Sequence, residues 1–179
     1  MTQIASVYGE AMYSLAKDNH LLDPILEEMN ALKAGFEENP DFVRLLSTPN
    51  LSKEQRVSIL DDSFSGKIQP YLLNFLKILT EKGYVSQFPG CCAAFRDLYN
   101  RDMGILPVTA VTAVPLSGEQ TERLQEKLSD MTGRKIALSN RVDPQCLGGV
   151  RLDYDGKQLN DTIAHRFQAI RELLTDTVL

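Results

Sequence analysis

Basic residues never gather in this chain: Lys and Arg form no cluster, and 24 acidic side chains outnumber 19 basic ones for a net charge of −5. Without a basic stripe there is no footprint for a phosphate backbone, so direct DNA or RNA binding is not expected. Long hydrophobic runs are also missing. Nothing approaches the roughly 20 consecutive apolar residues of a membrane span. The opening MTQIASVYGEAMYSLAKDN has neither the basic start nor the apolar core of a signal peptide, and the expectation is a soluble protein that stays on the side where it is made. Cysteine is scarce: Cys91 and Cys92 are adjacent and Cys146 is far away. With no C-x-x-C and an odd count, reduced, buried thiols are expected rather than disulfides. The only histidines, His20 and His165, lie at no ligand spacing from the cysteines, which argues against a metal role for them.

What is present is patterning for a folded core. The chain of 179 residues is 43% hydrophobic, enough for one ordinary domain or two small ones. Ile4, Val7, Tyr8, Ala11, Met12, Leu15 and Ala16 recur at helical spacing and fill nearly half the circumference of a first helix over residues 4 to 18, which is broad for a surface helix. Asp23-Pro24 reads as an N-cap with proline at the first helical position of a second helix, and Asn39-Pro40 repeats the device for a short third one. Ser52 with Gln55 makes a capping box for a fourth helix, and Pro70 opens a fifth. On that fifth helix Leu72, Phe75, Leu76 and Leu79 share an arc, whereas Ile78 projects about 240° from Leu72, off the core stripe. A sixth helix through Phe88, Phe95 and Tyr99 ends near Gly104.

The character then changes. Ile105 to Val114 alternates and is β-branched, a strand with Pro107 at an edge or at its start. Ser117 with Gln120 caps a helix that Gly133 ends, and Lys135 to Val142 is a second strand. Gly148-Gly149 begins a third strand, in which Val150, Leu152 and Tyr154 alternate with charged residues until Asp155-Gly156 turns the chain. Asn160 and Asp161 then read as N-caps of a last helix carrying Ile163, Phe167, Ile170, Leu173, Leu174 and Val178. The fold class expected is α+β overall: an N-terminal six-helix bundle over residues 1–104, then a small mixed α/β domain over 105–179 in the order β-α-β-β-α.

Candidate chemistry is weak at every position. D-x-D-G at Asp153 to Gly156 has the start of a calcium loop, but position 12 counted from Asp153 is Ala164 where a bidentate Glu is needed. Asp161 and His165 stand one helical turn apart as an acid/base pair would, yet a cap and surface electrostatics explain them more simply. No phosphate loop, nucleophile elbow or zinc-protease spacing occurs. A small metal- or acid/base-dependent enzyme built on Asp153, Asp155, Asp161 and His165 is therefore the minor alternative. The stronger lead is surface: a first helix apolar over nearly half its girth and a fifth with a stray isoleucine suggest a groove for a partner helix, against the plainer reading of well-buried helices.

With these residues in hand, the chain resembles the δ subunit of the F-type ATP synthase, the family of the mitochondrial oligomycin-sensitivity-conferring protein. The resemblance runs nearly the whole length and is carried by GGVRLDYDGKQLNDTIAHRFQAIREL, LLSTPNLSKEQRVSIL and NFLKILTEKGY. The family usually has Asp where this chain has Asn160, Gly at His165, Leu at Phe167, and often Arg at Tyr84. The resemblance implies a non-catalytic stator, one copy per complex, without cofactor, metal or nucleic acid. It would sit peripherally on the cytoplasmic face of the bacterial membrane and touch the membrane only through its complex. Its implied partners are the N-terminal helix of an α subunit, held in a groove between the first and fifth helices, and the b subunits of the peripheral stalk, held by the C-terminal domain. Carried onto this chain, the groove selects Tyr8, Ala11 and Ile78.

Overall fold

The computed structural model describes residues 2–48, 50–146, 148–154 and 156–162. The chain is α+β, with seven α-helices and one four-stranded sheet among the described residues. It divides into two compact units, residues 1–99 and 100–179.

The first unit is helical. α1 (Gln3–Asp18) starts at Thr2, whose hydroxyl accepts from the Ala5 N–H. α2 spans Leu22–Glu38, and here the expected Asp23-Pro24 cap is wrong by two residues. His20 adopts a left-handed φ of 57° and reverses the chain, so that the Leu21 N–H reaches back to the Ala16 carbonyl at 2.8 Å and the Leu21 carbonyl already accepts from Ile25. Pro24 consequently sits inside the first turn, where its missing N–H has no partner to lose. The Asp23 carboxylate is turned instead to the Tyr99 hydroxyl, 2.6 Å away.

α3 (Pro40–Ser47) does begin with proline after Asn39. The Asn39 side chain, however, donates to the Gly35 carbonyl and so closes the end of α2 rather than capping α3. The capping box of α4 (Lys53–Phe64) forms with both bonds, Gln55 N–H to Ser52 Oγ and Ser52 N–H to Gln55 Oε1. α5 (Pro70–Glu81) and α6 (Phe88–Asp102) complete the set, joined through a 3-10 turn at Val85–Gln87.

One core serves all six helices. Met12, Ile25, Met29, Leu46, Leu60, Leu72, Leu76, Leu79, Phe88 and Phe95 are fully buried in it. Cys91 and Cys92 are buried there as well, and burial pushes their thiols up to about 11 and about 12, so they act as small apolar side chains and not as nucleophiles. α1 lies hard against α6 at two glycines. A Cβ added at Gly9 would stand 2.6 Å from the Ala94 Cβ, and one at Gly90 would stand 2.8 Å from the Ala5 Cβ.

The second unit is built on a sheet of β1 (Ile105–Thr112), β2 (Lys135–Val142), β3 (Gly149–Tyr154) and β4 (Lys157–Thr162), in the order β2-β1-β3-β4. β1 runs parallel to β2, with α7 (Gly118–Thr132) between them in sequence. β3 is antiparallel to β1 but meets only Thr109 to Thr112. Pro107 therefore lies in the part of β1 that has a neighbour on one side only, which suits a residue without an N–H to offer. α7 carries the expected capping box at Ser117 and Gln120 and ends at Gly133 with φ of 65°. Its Leu124 and Leu128 pack on Leu106, Val108, Ala110, Ile136 and Leu152.

Downstream of Asp155-Gly156 the structure departs from expectation. Residues Lys157–Thr162 form β4, antiparallel to β3 from Tyr154↔Lys157 to Gly149↔Thr162. Asn160 and Asp161 are strand residues opposite Arg151 and Val150, not helix caps. A two-residue Asp-Gly connection is a hairpin signal, and backbone pairing to β3 overrides the weak strand propensity of KQLNDT. The expected last helix, with His165, Phe167 and the apolar stripe to Val178, lies outside the described residues.

A candidate partner-binding site on α1 and α5

The broad apolar arc of α1 resolves into two faces. Ala5, Gly9, Met12, Tyr13 and Ala16 are buried. Val7, Ala11 and Leu15, spaced four apart, are exposed, Val7 by 57%. Residues at that spacing stack along one side of a helix. A merely well-buried helix would not leave three apolar side chains in line with water.

α5 shows the same division. Leu72, Leu73, Phe75, Leu76, Leu79 and Thr80 point inward, while Tyr71 and Ile78, seven residues apart, are exposed by 39% and 46%. Tyr8 joins the two helices. Half-buried, it meets Phe75 edge-on with ring centroids 6.4 Å apart and Tyr84 at 6.1 Å. Such T-shaped pairs place the positive ring edge on the negative ring face and fix the rings against each other. At the far end, the Tyr71 hydroxyl donates to Asn19 Oδ1 at 3.1 Å, tying α5 to the C-terminus of α1.

Tyr8, Phe75 and Tyr84 thus form an aromatic cluster linking the two helices, and α1 exposes Val7, Ala11 and Leu15 while α5 exposes Tyr71 and Ile78. Of the residues expected from sequence, Tyr8 belongs to the cluster and Ala11 and Ile78 to the exposed flanks. The sequence reading did not single out Val7, Leu15 or Tyr71 for the site. Their signal was present in the spacing, four residues either side of Ala11 and seven before Ile78. A separate cleft of about 530 Å³ between α2, α3 and α4, lined by Leu32, Phe36, Phe42 and Phe64, includes none of the expected residues.

The alternative enzyme site finds no support among the described residues. The Asp153 carboxylate is engaged by Arg151 Nε at 3.2 Å and Arg141 Nη2 at 3.8 Å across the sheet. Asp161 is a strand residue in β4 and not a helix cap, and Asp155 and His165 lie outside the described residues. No group of metal-ligating side chains occurs among the described residues.

The profile of the ATP synthase delta (OSCP) subunit family matches residues 4–174. This chain belongs to that family. It is 37% identical over 175 residues to the ATP synthase subunit delta of Lactobacillus gasseri, covering 97% of this chain and 96% of the relative. To the ATP synthase subunit delta of Clostridioides difficile it is 26% identical over 176 residues, covering 98% and 97%. The fold is similar to that of a chain in the mitochondrial ATP synthase hexamer of Toxoplasma gondii, with a TM-score of 0.75 over 97% of this chain and 98% of that one at 19% identity. As a δ (OSCP) family member the chain is a non-catalytic subunit of an ATP synthase complex, and the enzyme reading is set aside. Among the described residues no helix is long and apolar enough to cross a membrane.

Proposed function

We propose that the chain is a stator adaptor, its helical unit gripping the N-terminal helix of an α subunit on the catalytic head and its sheet unit facing the b subunits of the peripheral stalk. The observation that carries this reading is the pair of exposed apolar flanks, Val7-Ala11-Leu15 and Tyr71-Ile78, on two helices linked by an aromatic cluster. An amphipathic helix laid along them would cover side chains that water solvates poorly, the helix-in-groove mode of recognition. No bond is made or broken. Rotation of the central stalk exerts torque on the head, and the adaptor transmits the opposing force, so its contribution is binding strength and stiffness. In a bacterial cell this places it peripherally at the cytoplasmic face of the membrane, held there by its complex.

The test is titration of the full chain with a synthetic peptide of an α-subunit N-terminus. Ile78→Asp and Ala11→Asp should each lower affinity at least tenfold, about 1.4 kcal/mol, with far-ultraviolet circular dichroism unchanged. Undiminished affinity in both would reject the α1–α5 site.

A further inference from the structure

Ile78 and Tyr71 are exposed at one edge of the buried arc of α5, and a partial roll that hid them would bring out Leu73 and Thr80 at the other edge. Burial alone therefore separates the two rotations little, and polar ties can decide between them. Two polar ties run to it from α4, and they bracket Ile78. One residue before it, Lys77 Nζ stands 2.6 Å from Asp61 Oδ1. Two residues after it, the Thr80 carbonyl accepts from Arg56 Nη1 at 3.5 Å, and the same nitrogen donates to the Leu46 carbonyl of α3 at 3.2 Å. Arg56 thus places a positive charge between the C-terminal turns of α3 and α5, where helix dipoles leave negative potential.

We infer that Asp61, Lys77 and Arg56 are positioning residues that set the rotation of α5 and so keep Ile78 presented to a partner helix. The inference rests on the α1–α5 reading of the site. The geometry distinguishes the ties from ordinary surface ion pairs. Successive residues on a helix are about 100° apart, so the Lys77 side chain reaches α4 without occupying the face that Ile78 presents. The Asp61–Lys77 pair is partly solvated, with side chains 43% and 23% exposed, and pairs of that kind add little to global stability. Their directional effect is larger: a roll of α5 breaks both ties at once.

The experiment uses the full chain with isoleucine methyl groups labelled for NMR, titrated with the α-subunit N-terminal peptide. Lys77→Met should shift the Ile78 methyl resonance in the free protein and weaken peptide binding by up to about fivefold, the most that loss of one partly solvated pair gives. The melting temperature should change little. The exchanged pair Asp61→Lys with Lys77→Asp should return the Ile78 resonance and most of the affinity, which a direct contact between Lys77 and the peptide would not allow. Arg56→Lys, keeping charge but losing the two-carbonyl reach, should fall between. If the wild type binds while Lys77→Met binds equally well with an unmoved Ile78 methyl, the positioning role is overturned and the partner site stands. If Ile78 shifts and recovers as described but no variant or wild type binds the peptide, the ties are upheld and the partner reading falls.

Discussion

The two units bury their apolar residues in very different ways. In the helical unit twenty buried residues form one cluster drawn from all six helices and the 3-10 turn. Among the described residues of the sheet unit the corresponding cluster has five, and α7 has no buried residue. Yet the helical unit, with this large core, leaves apolar side chains in line on its surface. Its exposed Val7, Ala11, Leu15 and Ile78 are therefore not the leftovers of a poor core; they stand beside a core that has no further need of them. In the sheet unit, exposed Leu159 and Met131 stand apart from any such line of apolar residues among the described ones and carry no such implication.

The difference can be broken or sharpened experimentally. The largest effect is expected at Phe88, fully buried and in ring contact with Phe36 and Phe75. Phe88→Ala should destabilise the helical unit by about 3–5 kcal/mol, read as a lowered urea midpoint. Gly9→Val comes next, because its first added carbon would already collide with Ala94 and with the Cys91 backbone. Overpacking of this kind costs about 1–3 kcal/mol, and here backbone on one side limits relaxation. Leu152→Ala should cost about 2–3 kcal/mol but act locally. Hydrogen exchange should speed at β1 and β3 while α1 and α5 keep their protection, and equal loss in both units would erase the distinction drawn above.

Ser52→Ala and Ser117→Ala remove the same capping box from the two units, and each should cost about 1 kcal/mol. The smallest effect on stability belongs to Val7→Asp, within about 0.5 kcal/mol in a denaturant melt, although the same substitution should weaken the partner peptide. A large loss of stability there would mean that the α1 flank belongs to the core after all.

Much of this architecture is legible in the sequence. The capping boxes at Ser52 and Ser117, the glycine stop at Gly133 and the proline starts of α3 and α5 lie within a few residues of the ends they specify, and each works through short-range hydrogen bonds or φ preferences. The start of α2 was misjudged because the rival partners were remote. Asp23 is taken by Tyr99, 76 residues away, and His20 supplies the reversal in a conformation no local pattern announces. β4 was missed because a strand at a hairpin edge needs only a partner, and KQLNDT acquires one in β3.

For the site, the sequence by itself determined that α1 and α5 carry more apolar surface than one stripe can hold, and that Ile78 is off its stripe; helical periodicity is a property of spacing alone. It did not decide which of the surplus residues face water. That depended on the close approach of α1 to α6 at Gly9 and Gly90, on the Tyr8 ring wedged against Phe75, and on the Asp61–Lys77 and Arg56 ties that hold α5 in rotation. Burial is a relation between elements distant in sequence, and only tertiary packing turns a broad apolar arc into one face that is core and another that waits for a partner.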